Sequence, residues 1–378
     1  MTDLPTSTPT ILFAGGGSGG HLAPGLAIIE RLREAGAPVD CRFICSNRPV
    51  DRTMLDPTGV AFSPIPSAPL RKSPTGLARF ALGLKAGRQA VLRFIDQHDV
   101  RLLVALGGFV AGPAVLAARK RKIRTVLLNL DDPPGRANRL LARLCAERWT
   151  AVPLRSGASF DAELVGMPIR RAALAGQRSP EDCRTELGLE PDRPTFLVTG
   201  ASQGSTSLNE LLIALLKEHP SDFAGWQVIH LTGDRPDAIE SSRQACAEAG
   251  VPAVVEPCTS RIGFARGAAD LARRRGGGSS VAEALANAVP TVFLPYPYHA
   301  DQHQRRHVER YVEADLAWAV EDAVAPKRNL PVAGRLIGEL LREPDRLAEV
   351  RERLVDRARP DAADAIAQRL LALLSTSR

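Results

Sequence analysis

The stretch Gly15-Gly16-Gly17-Ser18-Gly19-Gly20-His21 carries two kinds of chemistry side by side. Gly15, Gly17 and Gly20 fit the spacing GxGxxG behind an apolar run, a turn tight enough for backbone N–H groups and a helix start to face a phosphate. His21 follows at the mouth of that turn, with an imidazole whose ordinary pKa suits a general base. The plainer reading of His21 is that it caps the helix. A nicotinamide-dinucleotide site would want an acid after the second strand, but CRFIC is followed by Ser46, Asn47 and Arg48, so a dehydrogenase loses its ribose partner. An adenosine 2′-phosphate site stays open on this ground alone.

A second constellation lies far along the chain. Gly276, Gly277, Gly278, Ser279 and Ser280 precede VAEALANA, so a helix start presents N–H groups and hydroxyls to a diphosphate without calling for a metal. Glu283 sits one turn into that helix, where the dipole alone favours an acid. His299, His303 and His307 recur every four residues with Asp301 among them, which on one helix would suggest zinc. PYPYH reads as the end of a strand, which takes His299 off any helical face, so no metal is expected. The cysteines at 41, 45, 145, 183, 246 and 258 form no CxxC pair, which fits reduced thiols rather than a zinc knuckle or a redox motif.

The elements that must position these residues follow from periodicity. Residues 11–33 and 195–216 each read as a short apolar strand, a glycine-containing turn and an amphipathic helix. Further strand candidates (CRFIC, RLLVAL, TVLLNL, WQVIHLT, PTVFLPY) alternate with helices, the pattern of doubly wound parallel sheets in an α/β protein. With 378 residues, two domains are expected. Gly166 and Pro168 interrupt the pattern before a polar stretch, which sets the domains at 1–170 and 171–355. A C-terminal helix at about 356–378, with Ile366, Leu370, Leu371 and Leu374 on one face, is expected to pack back on the first domain.

Composition bounds the partners. Apolar residues at 44% and charged residues at 24% describe a globular chain, and a net charge of +7 suits anionic partners. Aromatic residues at 4% leave few stacking platforms, so nucleic acid is not expected. No apolar run is long enough to span a bilayer, and the start MTDLPTSTPT lacks the pattern of a signal peptide, so the protein is expected inside the cell. Residues 66–101 hold seven Lys/Arg against two Asp, interleaved with Leu77, Phe80, Leu82 and Leu84. That suits an anionic lipid surface, and equally an ordinary solvated helix with an apolar core face.

The motifs GGGSGGHLAPGLAI, LGGFVAGP, GRANRLL, GMPIR, TGASQGS, RGGGSSVAEAL and PYPYHADQHQ, in this order and spacing, resemble the MurG family of glycosyltransferases from about residue 11 to 375. The resemblance implies a GT-B fold, two Rossmann-like domains, with the acceptor on the first and a UDP-sugar on the second. It implies inverting transfer of N-acetylglucosamine from UDP-GlcNAc to lipid I, with no cofactor, at the cytoplasmic face of the bacterial plasma membrane. His21 is then the base, and Ser18, Gly19, Gly20 and Asn138 are substrate contacts. Arg170, Ser202, Gln203, Arg275, Gly278, Ser279 and Ser280 would meet the donor phosphates or sugar, and Glu283 the ribose. Backbone around Cys258 would hold uracil, and His303 and Gln304 the donor sugar. The family's HEQN-like stretch reads Asn129-Leu130-Asp131-Asp132 here, and LARRR replaces an apolar strand, so Arg273 to Arg275 are expected to offset the acids or the phosphates. Other readings are a GT-B enzyme with a different acceptor, a sugar-nucleotide epimerase, and a non-catalytic UDP-sugar-binding protein.

Overall fold

The computed structural model describes residues 8–155, 160–200, 204–298, 302–357 and 361–376, and the chain divides into two compact units, 1–170 with 361–378, and 171–360. The first unit is a seven-stranded sheet of β1 (Thr10–Ala14), β2 (Asp40–Cys45), β3 (Ala61–Pro64), β4 (Val100–Ala105), β5 (Arg124–Asn129), β6 (Glu147–Thr150) and β7 (Glu163–Leu164). Its order is β3-β2-β1-β4-β5-β6-β7 and every pairing is parallel. The helices are α1 (Gly19–Glu34), α2 (Pro49–Leu55), α3 (Pro74–Gln97), α4 (Gly108–Lys120) and α5 (Arg136–Leu141). β1 and β4 bury every side chain except Arg101, as strands covered on both faces must.

The second unit repeats the plan. Its strands are β8 (Thr195–Thr199), β9 (Gln227–Leu231), β10 (Ala253–Glu256), β11 (Leu271–Arg274), β12 (Thr291–Phe293) and β13 (Trp318–Ala319), all parallel in the order β10-β9-β8-β11-β12-β13. Its helices are α6 (Pro180–Glu186), α7 (Thr206–Glu218), α8 (Pro236–Glu248), α9 (Ile262–Ala268), α10 (Gly278–Ala286), α11 (His303–Val312), α12 (Pro326–Asn329), α13 (Arg335–Leu341) and α14 (Pro344–Arg357). Its largest core joins Phe196 and Val198 of β8 to Leu208, Leu211, Leu212 and Leu215 of α7.

The C-terminal helix is shorter than the sequence suggested. Residues 356 and 357 still belong to α14, and a separate helix, α15 (Ala362–Ser375), buries Ile366 and Leu370 and packs on α1. Arg31 of α1, 2% exposed, ties this together by donating to Ile169 O at 3.0 Å and to Asp361 Oδ2 at 2.5 Å. Asp361 caps α15 at Ala363 N, and its Oδ1 also accepts from Ile169 N at 2.9 Å. One buried arginine therefore holds both the residue before the chain leaves this unit and the residue at which it returns.

Candidate active site

In each sheet the strand order reverses between two neighbours, β1 and β4 in the first and β8 and β11 in the second. The carboxyl ends of such a pair open a crevice in which doubly wound proteins bind ligands. Both glycine constellations follow those strands, so topology delivers them to the same relative place in each unit.

In the first unit, the chain leaves β1 through Gly15–Ser18 and enters α1. Gly17 takes φ +83°, and a Cβ there would stand 2.6 Å from the Phe109 ring, so glycine is required. Asp51 of α2, fully buried, holds the turn from beneath. Its carboxylate accepts from Gly17 N at 2.9 and 3.0 Å, from Ser46 N at 2.8 Å and from Ser46 Oγ at 2.6 Å. Arg48 donates to Gly17 O at 2.8 Å and lies over the Phe109 ring.

His21 stands on this turn with Nδ1 2.9 Å from Ser18 Oγ, so Ser18 is an orienting partner of the imidazole. The second glycine turn, Gly107–Gly108 after β4, faces the same ring. A Cβ on Gly107, whose φ is +96°, would lie 3.4 Å from His21 Cδ2 and 3.2 Å from the Asn138 amide. Asn138, at the buried side of α5, donates to Asn129 Oδ1 at 3.0 Å, and Asn129 donates to Thr150 Oγ1 at 3.2 Å. His21, Ser18, Gly20 and Asn138 thus belong to one cluster around two glycine turns. Asp132 is buried, and a cation stands near it, with Arg155 Nε 3.9 Å from Oδ2. Arg170 belongs to this unit, and its Nε donates to Glu30 of α1 at 2.9 Å.

In the second unit, Gly276 leads β11 toward α10, and a Cβ on it would meet Gln304 O at 2.5 Å, so the turn packs directly on the start of α11. Gly277 is the N-cap of α10 and no side chain caps it, which leaves the half-buried Gly278, Ser279 and Ser280 as its uncapped first turn. Gln304 accepts from Tyr296 N at 2.9 Å, and the His303 ring lies 5.8 Å from that of His307. His307 is buried with Nδ1 3.3 Å from Gly276 O, a contact that serves the turn. Among the described residues no group of three His, Cys, Asp or Glu side chains could hold a metal. Cys258 is exposed in the loop after β10. Ser202, Gln203, His299 and Asp301 lie outside the described residues.

The three arginines of LARRR point to alternate sides, and each is bound within this unit, Arg274 and Arg275 to carboxylates and Arg273 to a backbone carbonyl. Arg275 donates to Leu294 O at 2.9 Å, Asp322 Oδ2 at 2.5 Å, Ser205 Oγ at 2.7 Å and Ser207 Oγ at 2.9 Å. With so many donors used, it braces the start of α7. Burial would raise the Asp322 carboxyl, but bonds from Ser207 and Asn329 and the Arg275 charge hold it below the usual range.

Arg273, on the same face, donates to Leu208 O of α7. Burial, with Arg275 beside it, pushes it down to about 9. His230 of β9 occupies the same row two strands away, since both residues register with Val198. Asn209 donates to Thr232 O at 2.9 Å, so its Oδ1 must accept from His230 Nε2 at 3.1 Å. Burial, then the Arg273 charge, pushes His230 down to about 3, and the ring stays neutral. Arg274 points to the opposite face and donates to Glu283, as does Arg266 of α9. Asp51, Arg266 and Asp322 carried no local signal in the sequence, because each acts on a partner brought in by the fold.

Residues 11–149 match the glycosyltransferase family 28 N-terminal domain and residues 195–366 its C-terminal domain. The chain is 32% identical over 371 residues to the UDP-N-acetylglucosamine–N-acetylmuramyl-(pentapeptide) pyrophosphoryl-undecaprenol N-acetylglucosamine transferase of Desulforudis audaxviator, covering 94% of this chain and 96% of that one. It is 33% identical over 386 residues to the enzyme of the same name from Frankia casuarinae, covering 98% and 97%. In fold it is similar to the crystal structure of MurG from Acinetobacter baumannii, with a TM-score of 0.70 at 22% identity over 96% of this chain and 98% of that one.

Proposed function

The chain belongs to glycosyltransferase family 28, in the MurG family, and from that premise we propose that it transfers N-acetylglucosamine from UDP-GlcNAc to undecaprenyl-pyrophosphoryl-MurNAc-pentapeptide, lipid I, giving lipid II. The observation that carries the mechanism is the Ser18–His21 contact at the first sheet's switch point. With Nδ1–H donating to Ser18 Oγ, His21 Nε2 is the nitrogen that takes the proton from the acceptor C4 hydroxyl. The oxygen then forms its bond to the anomeric carbon of the donor as the bond from that carbon to the β-phosphate oxygen breaks. UDP leaves with the electron pair. One displacement inverts the anomeric centre. The first turn of α10, Gly278 to Ser280, supplies N–H groups and hydroxyls to the charge that develops on the diphosphate, so we propose that no metal is needed. Glu283 accepts from the ribose hydroxyls, His303 and Gln304 serve the donor sugar, and the backbone near Cys258 serves the base.

The acceptor's lipid tail supports a membrane role for α3. Its first half exposes Leu77 and Leu82 beside Arg79 and Lys85, with Arg71 and Lys72 just before it, while Val91 and Ile95 further along it are buried. Exposed leucines ringed by cations suit the anionic surface of the plasma membrane, where the protein would act as a peripheral enzyme on the cytoplasmic face. No described helix is long and apolar enough to cross a bilayer.

The deciding measurement is UDP release from UDP-GlcNAc, with and without a lipid I analogue, in buffer containing a metal chelator. Release that requires the analogue is expected. Donor binding with no analogue-dependent release would direct the search to another acceptor or a non-catalytic role. Co-sedimentation with vesicles containing phosphatidylglycerol, lost in Leu77→Ser/Leu82→Ser, tests the membrane surface.

A further inference from the structure

Glu283 shares one carboxylate oxygen between two arginines from different elements. Arg266 of α9 and Arg274 at the end of β11 both donate to Oε2, Arg274 at 3.1 Å. The arginine side chains are each 6% exposed and that of Glu283 17%. Arg266 is fixed in turn by donating to Ala173 O at 2.8 Å, and Asn287, at the end of α10, donates to that same oxygen at 3.0 Å. Oε1 of Glu283 has no hydrogen-bond partner among the described residues.

A lone glutamate in the first turns of a helix needs one cation at most. Two guanidinium groups on a single oxygen repel each other and leave a net positive charge beneath α10, an arrangement that stability alone does not call for. What it achieves is geometry. Oε2 is pinned from two directions, so the remaining oxygen is held in one orientation before any ligand arrives.

We propose that Arg266 and Arg274 are positioning residues for nucleotide recognition: they hold Glu283 as a fixed, ionised acceptor with Oε2 committed to the protein and Oε1 open to the ribose hydroxyls of the UDP-sugar. This rests on the reading that Glu283 meets the ribose. The arginines act through Glu283 and touch no substrate themselves.

The test compares the affinities of UDP and 2′,3′-dideoxy-UDP by calorimetry in the full-length protein, with thermal unfolding recorded for every variant. The wild type should prefer UDP by about tenfold or more, the worth of a charge-assisted hydrogen bond. Glu283→Gln should erase most of that preference. Arg274→Met and Arg266→Met should each reduce it by about fivefold while leaving dideoxy-UDP affinity unchanged, and Arg274→Lys should restore part of it. If Arg266→Met fails to fold, the Arg274→Met and Arg274→Lys pair decides, since Arg266 still neutralises Glu283 in both. Preference untouched by Glu283→Gln would overturn the ribose reading itself. Preference lost in Glu283→Gln but intact in Arg274→Met would overturn only the positioning role. An equal loss of both ligands in the arginine variants would do the same, because it would mark a purely structural contribution.

Discussion

The two switch points are built on one backbone plan and furnished in opposite ways. After β1 and β4 the side chains are a histidine, a serine, an asparagine and a buried aspartate that takes backbone N–H groups. After β8 and β11 they are arginines, braced by Asp322 and Glu283. The first arrangement suits moving a proton, because its imidazole is oriented by a neutral hydroxyl. The second suits holding an anion, because a helix start with no side-chain cap opens there on a frame braced by ion pairs. A shared fold thus fixes where a site opens, and side chains alone decide what the site does.

That division makes separable demands on rate, stability and pH. His21→Ala should lower turnover by about 10²- to 10⁴-fold while UDP affinity stays at the wild-type value, read by initial rates and calorimetry. A matching loss of UDP affinity would break the division. Arg275→Met should destabilise the second unit by about 3–5 kcal/mol in urea unfolding, because Asp322 is left buried without its cation, and Arg275→Met/Asp322→Asn should recover much of that loss. An Arg275 variant with normal stability and weakened donor binding would return this residue to the ligand. Asp51→Asn should cost about 2 kcal/mol of stability and about tenfold in turnover, with UDP affinity unchanged, since it loosens only the turn that carries His21.

The last effect is silent at neutral pH and appears only in acid. His230 has its folded pKa depressed from 6.5 to about 3, so the unfolded chain binds the extra proton first. Its contribution is complete above pH 6.5 and falls by about 1.4 kcal/mol per pH unit as the pH drops toward 3. Unfolding midpoints of His230→Gln, followed across that range, should lack this slope.

Much of the frame is legible in sequence because local chemistry dictates it. β1, β2, β4, β5, β8, β9 and β12 are apolar runs stopped by turns, and the glycine segments lie where strand must become helix. The short strands β3, β7, β10 and β13 have too few residues to show a period, and β11 hides behind three arginines that a buried strand should not contain. Those arginines become intelligible only through distant partners: Leu208 for Arg273, Glu283 for Arg274, Asp322 for Arg275. At the candidate site His21 and Asn138 are found together around the glycine turns, but Asp51, separated from Gly17 by 34 positions, depends on a contact that spacing cannot reveal. For Arg170 the motif suggests a nucleotide cation, while its bond to Glu30, 140 positions away, is one that spacing cannot reveal.

The Arg31 node has a topological consequence. Because Ile169 N–H reaches Asp361 Oδ1 at 2.9 Å, everything from 171 to 360 is an insertion whose entry and exit points touch. A linker of about three residues should span that gap and leave every strand of the first sheet in place. The excised chain, 1–170 joined to 361–378, is therefore expected to unfold cooperatively on heating. Its counterpart could in turn be exchanged between relatives as a cassette without re-engineering the host.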